Sequence, residues 1–98
     1  MSTAQEWKTY NIFKLIAVDN ACFIGMSKSE PRKYINNIKK RGSGMRVARH
    51  MSTVGWEGSR TEMIEKFVCL NADDARLRHA YWIKQSGACL NESGPPGR

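Results

Sequence analysis

No stretch of this chain is long and apolar enough to cross a bilayer. A helical span needs roughly 20 apolar residues, and runs such as Leu15–Val18 stop far short of that. The opening MSTAQEWK lacks a basic start followed by an apolar core. No signal peptide is therefore expected, and the expected address is cytoplasmic. Cysteine is sparse: Cys22, Cys69 and Cys89 are an odd count with no Cys-x-x-Cys pair. That spacing speaks against a zinc site, and a reducing compartment speaks against a disulfide framework. They read as reduced thiols packed as small hydrophobes. The chain has no internal repeat and no linker. Acid is scarce where base is dense: between Lys28 and His50 the only carboxylate is Glu30.

What is present fits a single small domain. At 98 residues, with 41% hydrophobic and 26% charged residues, the chain can bury one modest core but not two. Net charge is +7, and its distribution matters more than its sum. Lys28, Arg32, Lys33, Lys39, Lys40, Arg41, Arg46 and Arg49, with Glu30 against them, carry a charge equal to the whole net charge of the protein. His50 adjoins them. Such clustering points to a polyanionic partner, most simply nucleic acid. The plain alternative is a solvated face that aids solubility.

Periodicity and turn chemistry give the element order. Thr9–Val18 and Ala21–Met26 read as strands around Asp19-Asn20, residues that tolerate the left-handed geometry of a tight hairpin. Ser27 or Ser29 can cap a helix with Pro31 in its first turn, carrying Tyr34, Ile35 and Ile38 as its apolar stripe. Arg41–Gly44 breaks it. Met45–Val54 reads as a second helix ended by Gly55, and Thr61–Cys69 as a third strand. Asn71 caps a last helix with Asp73 and Asp74 in its first turn, ending near Gly87. Ala75, Leu77, Ala80, Tyr81 and Ile83 are the candidates for its buried face. Cys89-Leu90-Asn91 is expected to return to the sheet edge. The predicted fold is α+β, ββααβα, a three-stranded antiparallel sheet flanked by helices. Residues 1–9 form a lead-in, 10–91 the domain, and the Gly- and Pro-rich 92–98 a disordered tail.

Within that order, Asn11-Ile12-Phe13, nine intervening residues and Phe23-Ile24-Gly25 resemble the paired tripeptides of the GIY-YIG nuclease family. That family includes phage homing endonucleases and the N-terminal domain of the UvrC excision nuclease. Three further stretches resemble it in the right order: Gly55-Trp56-Glu57 before the third strand, Arg78–Lys84 in the last helix, and the late Asn91. The resemblance covers roughly Tyr10 to Asn91.

Phosphodiester hydrolysis needs a proton acceptor for water, a cation for the charge developing on phosphorus, and a divalent metal. The resemblance implies tyrosines in the two tripeptides, an Arg and a His on the first helix, and a metal-binding Glu on the last. Here those positions are Phe13, Phe23, Lys33, Asn37 and His79. Phenylalanine cannot exchange a proton, and Asn37 cannot act as a base. Lysine keeps the charge but loses the planar fork, although Arg32 substitutes if the helix is turned by one residue. An imidazole is a poor ligand for magnesium, and Ala75, Arg76, Trp82 and Ile83 supply no carboxylate. Tyr10 lies three residues before Phe13 and faces the other side of the strand. Tyr34 and Tyr81 read as core.

The expected function is therefore a pseudonuclease, with enzyme activity disfavoured but left open, that binds duplex DNA through Lys28, Arg32, Lys33, Lys39, Lys40, Arg41, Arg46, Arg49 and His50 without cutting it. It would act as a repressor, competitor or targeting module, and its size suits a phage or mobile-element protein. No metal or other cofactor is expected, with magnesium or manganese required only if cleavage survives. Two alternatives stay open: an interaction or inhibitor protein anchored through Trp56 or Trp7, and a divergent active endonuclease.

Overall fold

A computed structural model describes residues 6–41, 45–88, 90 and 91. Its elements are β1 (Lys8–Ile16), β2 (Cys22–Ser27), α1 (Pro31–Arg41), α2 (Arg46–Val54), β3 (Arg60–Cys69) and α3 (Ala72–Ser86). The order is ββααβα, and the fold is α+β as expected. One antiparallel sheet runs β2-β1-β3, which makes β1 central and leaves β2 and β3 as edges.

The hairpin turns where its residues allow. Asn20 takes φ 73°, a left-handed conformation that asparagine tolerates. Its N–H donates to the Ala17 carbonyl at 2.8 Å, and the Ala21 N–H donates to Asp19 Oδ1 at 3.2 Å. Strand β1 stops at Ile16 rather than Val18 because Ala17 already closes the turn, leaving Val18 exposed.

Alternation along β1 gives the sheet two faces. Phe13 and Leu15 point to one. There Leu15 packs with Phe23, Ile38, Val47, Met51 and Leu90, the layer that α1 and α2 cover. Tyr10 points to the other face, toward α3, in a smaller cluster with Cys69 and Ala75. Gly25 stands opposite Phe13, and a Cβ there would run into the Phe13 ring. Only glycine lets that ring lie across the neighbouring strand. Between Ile12 and Phe13 the register against β3 shifts, so Ile12 faces Glu65 while Phe13 faces Met63. This β-bulge puts Glu65 on the α3 side and Met63 on the other.

Three expectations are corrected. Ser27 and Ser29 do not cap α1; they hydrogen-bond one another, and the first turn of α1 closes on the Glu30 carbonyl instead. On α3 only Ala75 of the proposed apolar face is buried, while Leu77 and Tyr81 are exposed. The sheet-facing positions are Ala75, Arg78, His79, Trp82, Ile83 and Ser86, which follow helical spacing and are mostly polar. Polar groups suffice there because Arg78, His79, Trp82 and Ser86 each find a hydrogen bond. Tyr81 is therefore not core.

Both ends of α3 behave as read. Asn71 Oδ1 accepts the Asp74 N–H at 3.0 Å, and Gly87 closes the helix at φ 65°. Leu90 then returns to the edge, its N–H donating to the Cys22 carbonyl at 3.1 Å. Cys22 and Cys69 are free and buried. Cys89, the helix-breaking Gly42–Gly44, the start of the lead-in (1–5) and the tail (92–98) lie outside the described residues.

Candidate nucleic-acid interface

Helix α1 separates its chemistry by spacing. Tyr34, Ile35 and Ile38 face the core. Lys33, Asn36, Asn37, Lys40 and Arg41 recur at i, i+3, i+4, i+7 and i+8, one continuous polar stripe. Among the described residues Lys33, Lys40 and Arg41 make no ion pair, so their charge is available to a partner. With no acid in the first turn, nothing on the helix offsets the basic end formed by Lys39, Lys40 and Arg41.

The other predicted cations are partly committed. Arg32 lies 3.6 Å from Glu30, both highly exposed, a contact that water largely screens. Lys39 sits 5.1 Å over the Trp56 ring, and Trp56 itself packs half-buried against the α1–α2 core. Lys28 lies 5.6 Å over the ring of Tyr10, a member of the α3-side cluster, and so stands apart from the α1 stripe. Arg46 and Arg49 are exposed on α2 and make interactions of their own. His50 turns to the hairpin, its Nε2 2.9 Å from Asp19 Oδ2. That hydrogen bond is the main reason the Asp19 carboxyl is held below its ordinary range. His50 thus ties α2 to the β1–β2 turn.

The positions that the nuclease resemblance singles out fall into three places. Phe13 and Phe23 are buried in the core, at 0% and 4% exposure. The Tyr34 ring bridges them, edge-on to Phe13 at 5.5 Å and stacked on Phe23 at 6.2 Å. Tyr34 is the one phenol in that trio, and burial raises its pKa, which keeps it neutral at physiological pH. It is more than core, because it also lines a cavity of about 240 Å³ with Asn37, Ile38, Arg41 and Met45. Lys33 and Asn37 belong to the outer stripe of α1, and Arg32 lies beside that stripe rather than on it.

His79 and Asn91 meet on the outer edge of β2. Asn91 Oδ1 accepts the Ile24 N–H at 2.9 Å, and Asn91 Nδ2 donates to the Ile24 carbonyl at 2.8 Å. The same carbonyl receives His79 Nε2 at 2.7 Å. A ring nitrogen facing a carbonyl carries the proton, so Nε2 is a donor and has no lone pair for a cation. The Asn91 amide takes the place of a neighbouring strand, and His79 fastens α3 to it. These residues fit a structural clamp and do not fit a magnesium site, which needs oxygen ligands. Among the described residues no group of three or more His, Cys, Asp or Glu side chains is placed to hold a metal.

A second polar fastening lies on the α3 face. Glu65 Oε1 accepts from Arg78 Nε at 2.5 Å and from Trp82 Nε1 at 2.7 Å. Arg78 lowers the Glu65 pKa, and Glu65 raises that of Arg78. The guanidinium is bracketed by Phe67, Tyr81 and Trp82, the nearest ring centroid being Tyr81 at 4.7 Å. Outside this network runs an open groove of about 570 Å³, whose apolar walls include Trp7, Phe67, Val68, Leu70, Leu77 and Tyr81.

Sequence reasoning missed that groove and Lys66. Lys66 faces Asn11 across the strands, and the Asn11 side chain donates to the Ser29 carbonyl at 2.9 Å, just ahead of α1. Lys66 therefore adds a cation to the sheet face on the α1 side. Strand parity carried that signal, but the bulge at Ile12/Phe13 reverses parity partway along β3. No protein-family model, curated protein or solved structure matches the chain.

Proposed function

We propose that this protein binds nucleic acid, with duplex DNA as the first substrate to test, through the polar stripe of α1 and the adjoining cations, and does not cleave it. The observation that carries the reading is the stripe Lys33-Asn36-Asn37-Lys40-Arg41, in which three cations lack an internal counter-charge among the described residues. Cations spaced along one helix match a row of phosphates, and phosphate contacts give affinity without sequence reading. Lys66 extends the surface onto the sheet. A likeness to GIY-YIG nucleases, in which a sheet and first helix take up the DNA backbone, fits the same surface and stays part of the proposal.

The absence of cleavage is inferred from the side chains. Phe13 and Phe23 have no phenol and no solvent, and the imidazole of His79 is committed to a backbone carbonyl. Among the described residues no group of three or more His, Cys, Asp or Glu is placed to hold a metal, and His79 Nε2 is already engaged by the Ile24 carbonyl. A repressor, competitor or targeting role follows if DNA is occupied but uncut.

The test is fluorescence anisotropy with labelled duplex across a salt series, with magnesium present, beside a plasmid-nicking assay. The expected result is binding in the micromolar range or tighter that weakens steeply with salt, and an intact plasmid. Flat or absent binding would reject the reading, and metal-dependent nicking would replace it with a divergent endonuclease.

A second reading has its own observation. Trp7 is 66% exposed and Leu77 70% exposed, and both line the groove beside Tyr81. Large apolar side chains left open in one groove are the usual mark of a protein contact. This favours an interaction or inhibitor protein anchored by Trp7, not by Trp56, which is already packed. Both surfaces can serve at once, since they are built on different helices.

A further inference from the structure

We infer that the open pocket on the C-terminal half of α1, beside Met45, takes a single unpaired nucleobase, so that the protein prefers bulged or single-stranded positions over continuous duplex. The inference rests on the nucleic-acid reading above and specifies it. The cavity holds about 240 Å³ and is lined by Tyr34, Asn37, Ile38, Arg41 and Met45. That is too much room for one ordered water and less than the roughly 300–1,000 Å³ of pockets that hold a whole drug-sized ligand. One planar ring system suits it.

The lining has the parts such a ring needs. Tyr34, Ile38 and Met45 supply an aromatic and apolar lining, and base–aromatic stacking contributes regardless of sequence. Asn37 brings both an amide donor and a carbonyl acceptor, the pairing capacity of a base edge. Arg41 stands at the same cavity and, with Lys40 and Lys33, continues along the stripe where the flanking phosphates would lie. Asn37 and Arg41 are exposed and belong to both cavity and stripe, so a strand on the stripe passes the cavity. A base can enter only if it has left the stack, which costs least where it is already unpaired.

The experiment compares three labelled DNAs of one sequence by anisotropy: a continuous duplex, the duplex with a one-nucleotide bulge, and the bulge made abasic. The full chain is expected to bind the bulge about tenfold more tightly than either of the others, the size of one stacking interaction. Asn37→Ala and, separately, Met45→Trp, which fills the cavity, are expected to abolish that preference; Met45 lies outside the stripe, so Met45→Trp is also expected to leave duplex affinity within about twofold. Circular dichroism checks that each variant is folded, and Asn37→Ala changes only an exposed position. Salt-dependent duplex binding with no preference for the bulge over the abasic site would overturn this inference and leave the wider function standing. So would a folded Asn37→Ala variant whose preference is unchanged. Failure to bind any of the three DNAs would reject the nucleic-acid reading itself, and this inference with it.

Discussion

The two faces of the sheet are held by different forces. Under α1 and α2 lies a dry layer in which Phe13, Leu15, Val47 and Met51 are at most 1% exposed, and the cations of those helices are left outside. Under α3 the attachment is made by Glu65, His79 and Trp82 through hydrogen bonds, and the apolar Leu77 and Tyr81 are left outside instead. One helix pair commits its apolar residues to the core and offers charge to the surroundings. The other helix commits its polar residues to the fold and offers apolar surface. The two proposed partners, a polyanion and a protein, would therefore meet different surfaces.

Damage to the dry face should have the largest effect. Phe13→Ala removes a fully buried ring and is expected to cost about 3–5 kcal/mol. Against a total stability of about 5–15 kcal/mol, that leaves a marginal domain in urea or thermal denaturation. Gly25→Ala is expected to cost about 1–3 kcal/mol by overpacking, because its Cβ runs into the same ring. Combining Gly25→Ala with Phe13→Leu should recover part of that loss, since the two positions share one space. If Phe13→Ala costs less than about 1 kcal/mol, the face is not the dry layer described.

The outside of that face is tested by charge. Lys33→Glu, Lys40→Glu and Arg41→Glu together should weaken duplex binding by about a hundredfold or more at low salt. The slope of log affinity against log salt should become shallower by about 0.9 for each phosphate no longer neutralised. Stability should barely change, because none of the three is buried. On the groove side Leu77→Ser alters no charge, so it should leave the salt slope as it was. Loss of DNA binding in that variant would erase the distinction between the two surfaces.

The polar face has its own signature in pH. Arg78 depresses the Glu65 pKa below its ordinary 4.5. The stabilisation is therefore present above pH 4.5 and is lost as pH falls through the lower value of the folded state. Glu65→Gln should flatten this acid limb and cost about 1 kcal/mol at neutral pH, since the network is partly exposed to water. His50 and Asp19 add a second carboxylate depressed in the same direction, so part of the limb should survive in Glu65→Gln.

How much of this was legible in the sequence depends on which force holds each part. The hairpin turn at Asp19-Asn20, the breaks at Gly55 and Gly87 and the Asn71 cap follow from local backbone chemistry, and all stand as read. The α1 stripe follows from helical spacing and was equally readable. The attachment of α3 was not, because a search for apolar periodicity passes over Arg78, His79 and Trp82. Their partners, Glu65 and the Ile24 carbonyl, are brought to them by a bulge and by a strand distant in sequence. The cavity at Tyr34 was hidden for a related reason. A tyrosine at an apolar helical position reads as core, and only its place in the pocket with Asn37, Arg41 and Met45 shows that one side of it is open.

The smallest expected effect falls on the groove, and it decides whether α3 has a second task. Leu77 is 70% exposed, so Leu77→Ser removes almost no buried area and should change stability by no more than about 0.5 kcal/mol. Trp7→Ser should behave alike. If the groove is only exposed surface, the double variant will differ from the parent in nothing but a slightly lower tendency to associate. If it receives a protein segment, a partner recovered by affinity capture on the parent chain will be lost on the double variant and kept on the Lys33, Lys40 and Arg41 variant. The reverse pattern would mean the captured material was bridged by nucleic acid, and nuclease treatment before capture separates the cases. Because neither variant disturbs the fold, a loss of capture reports on the surface alone.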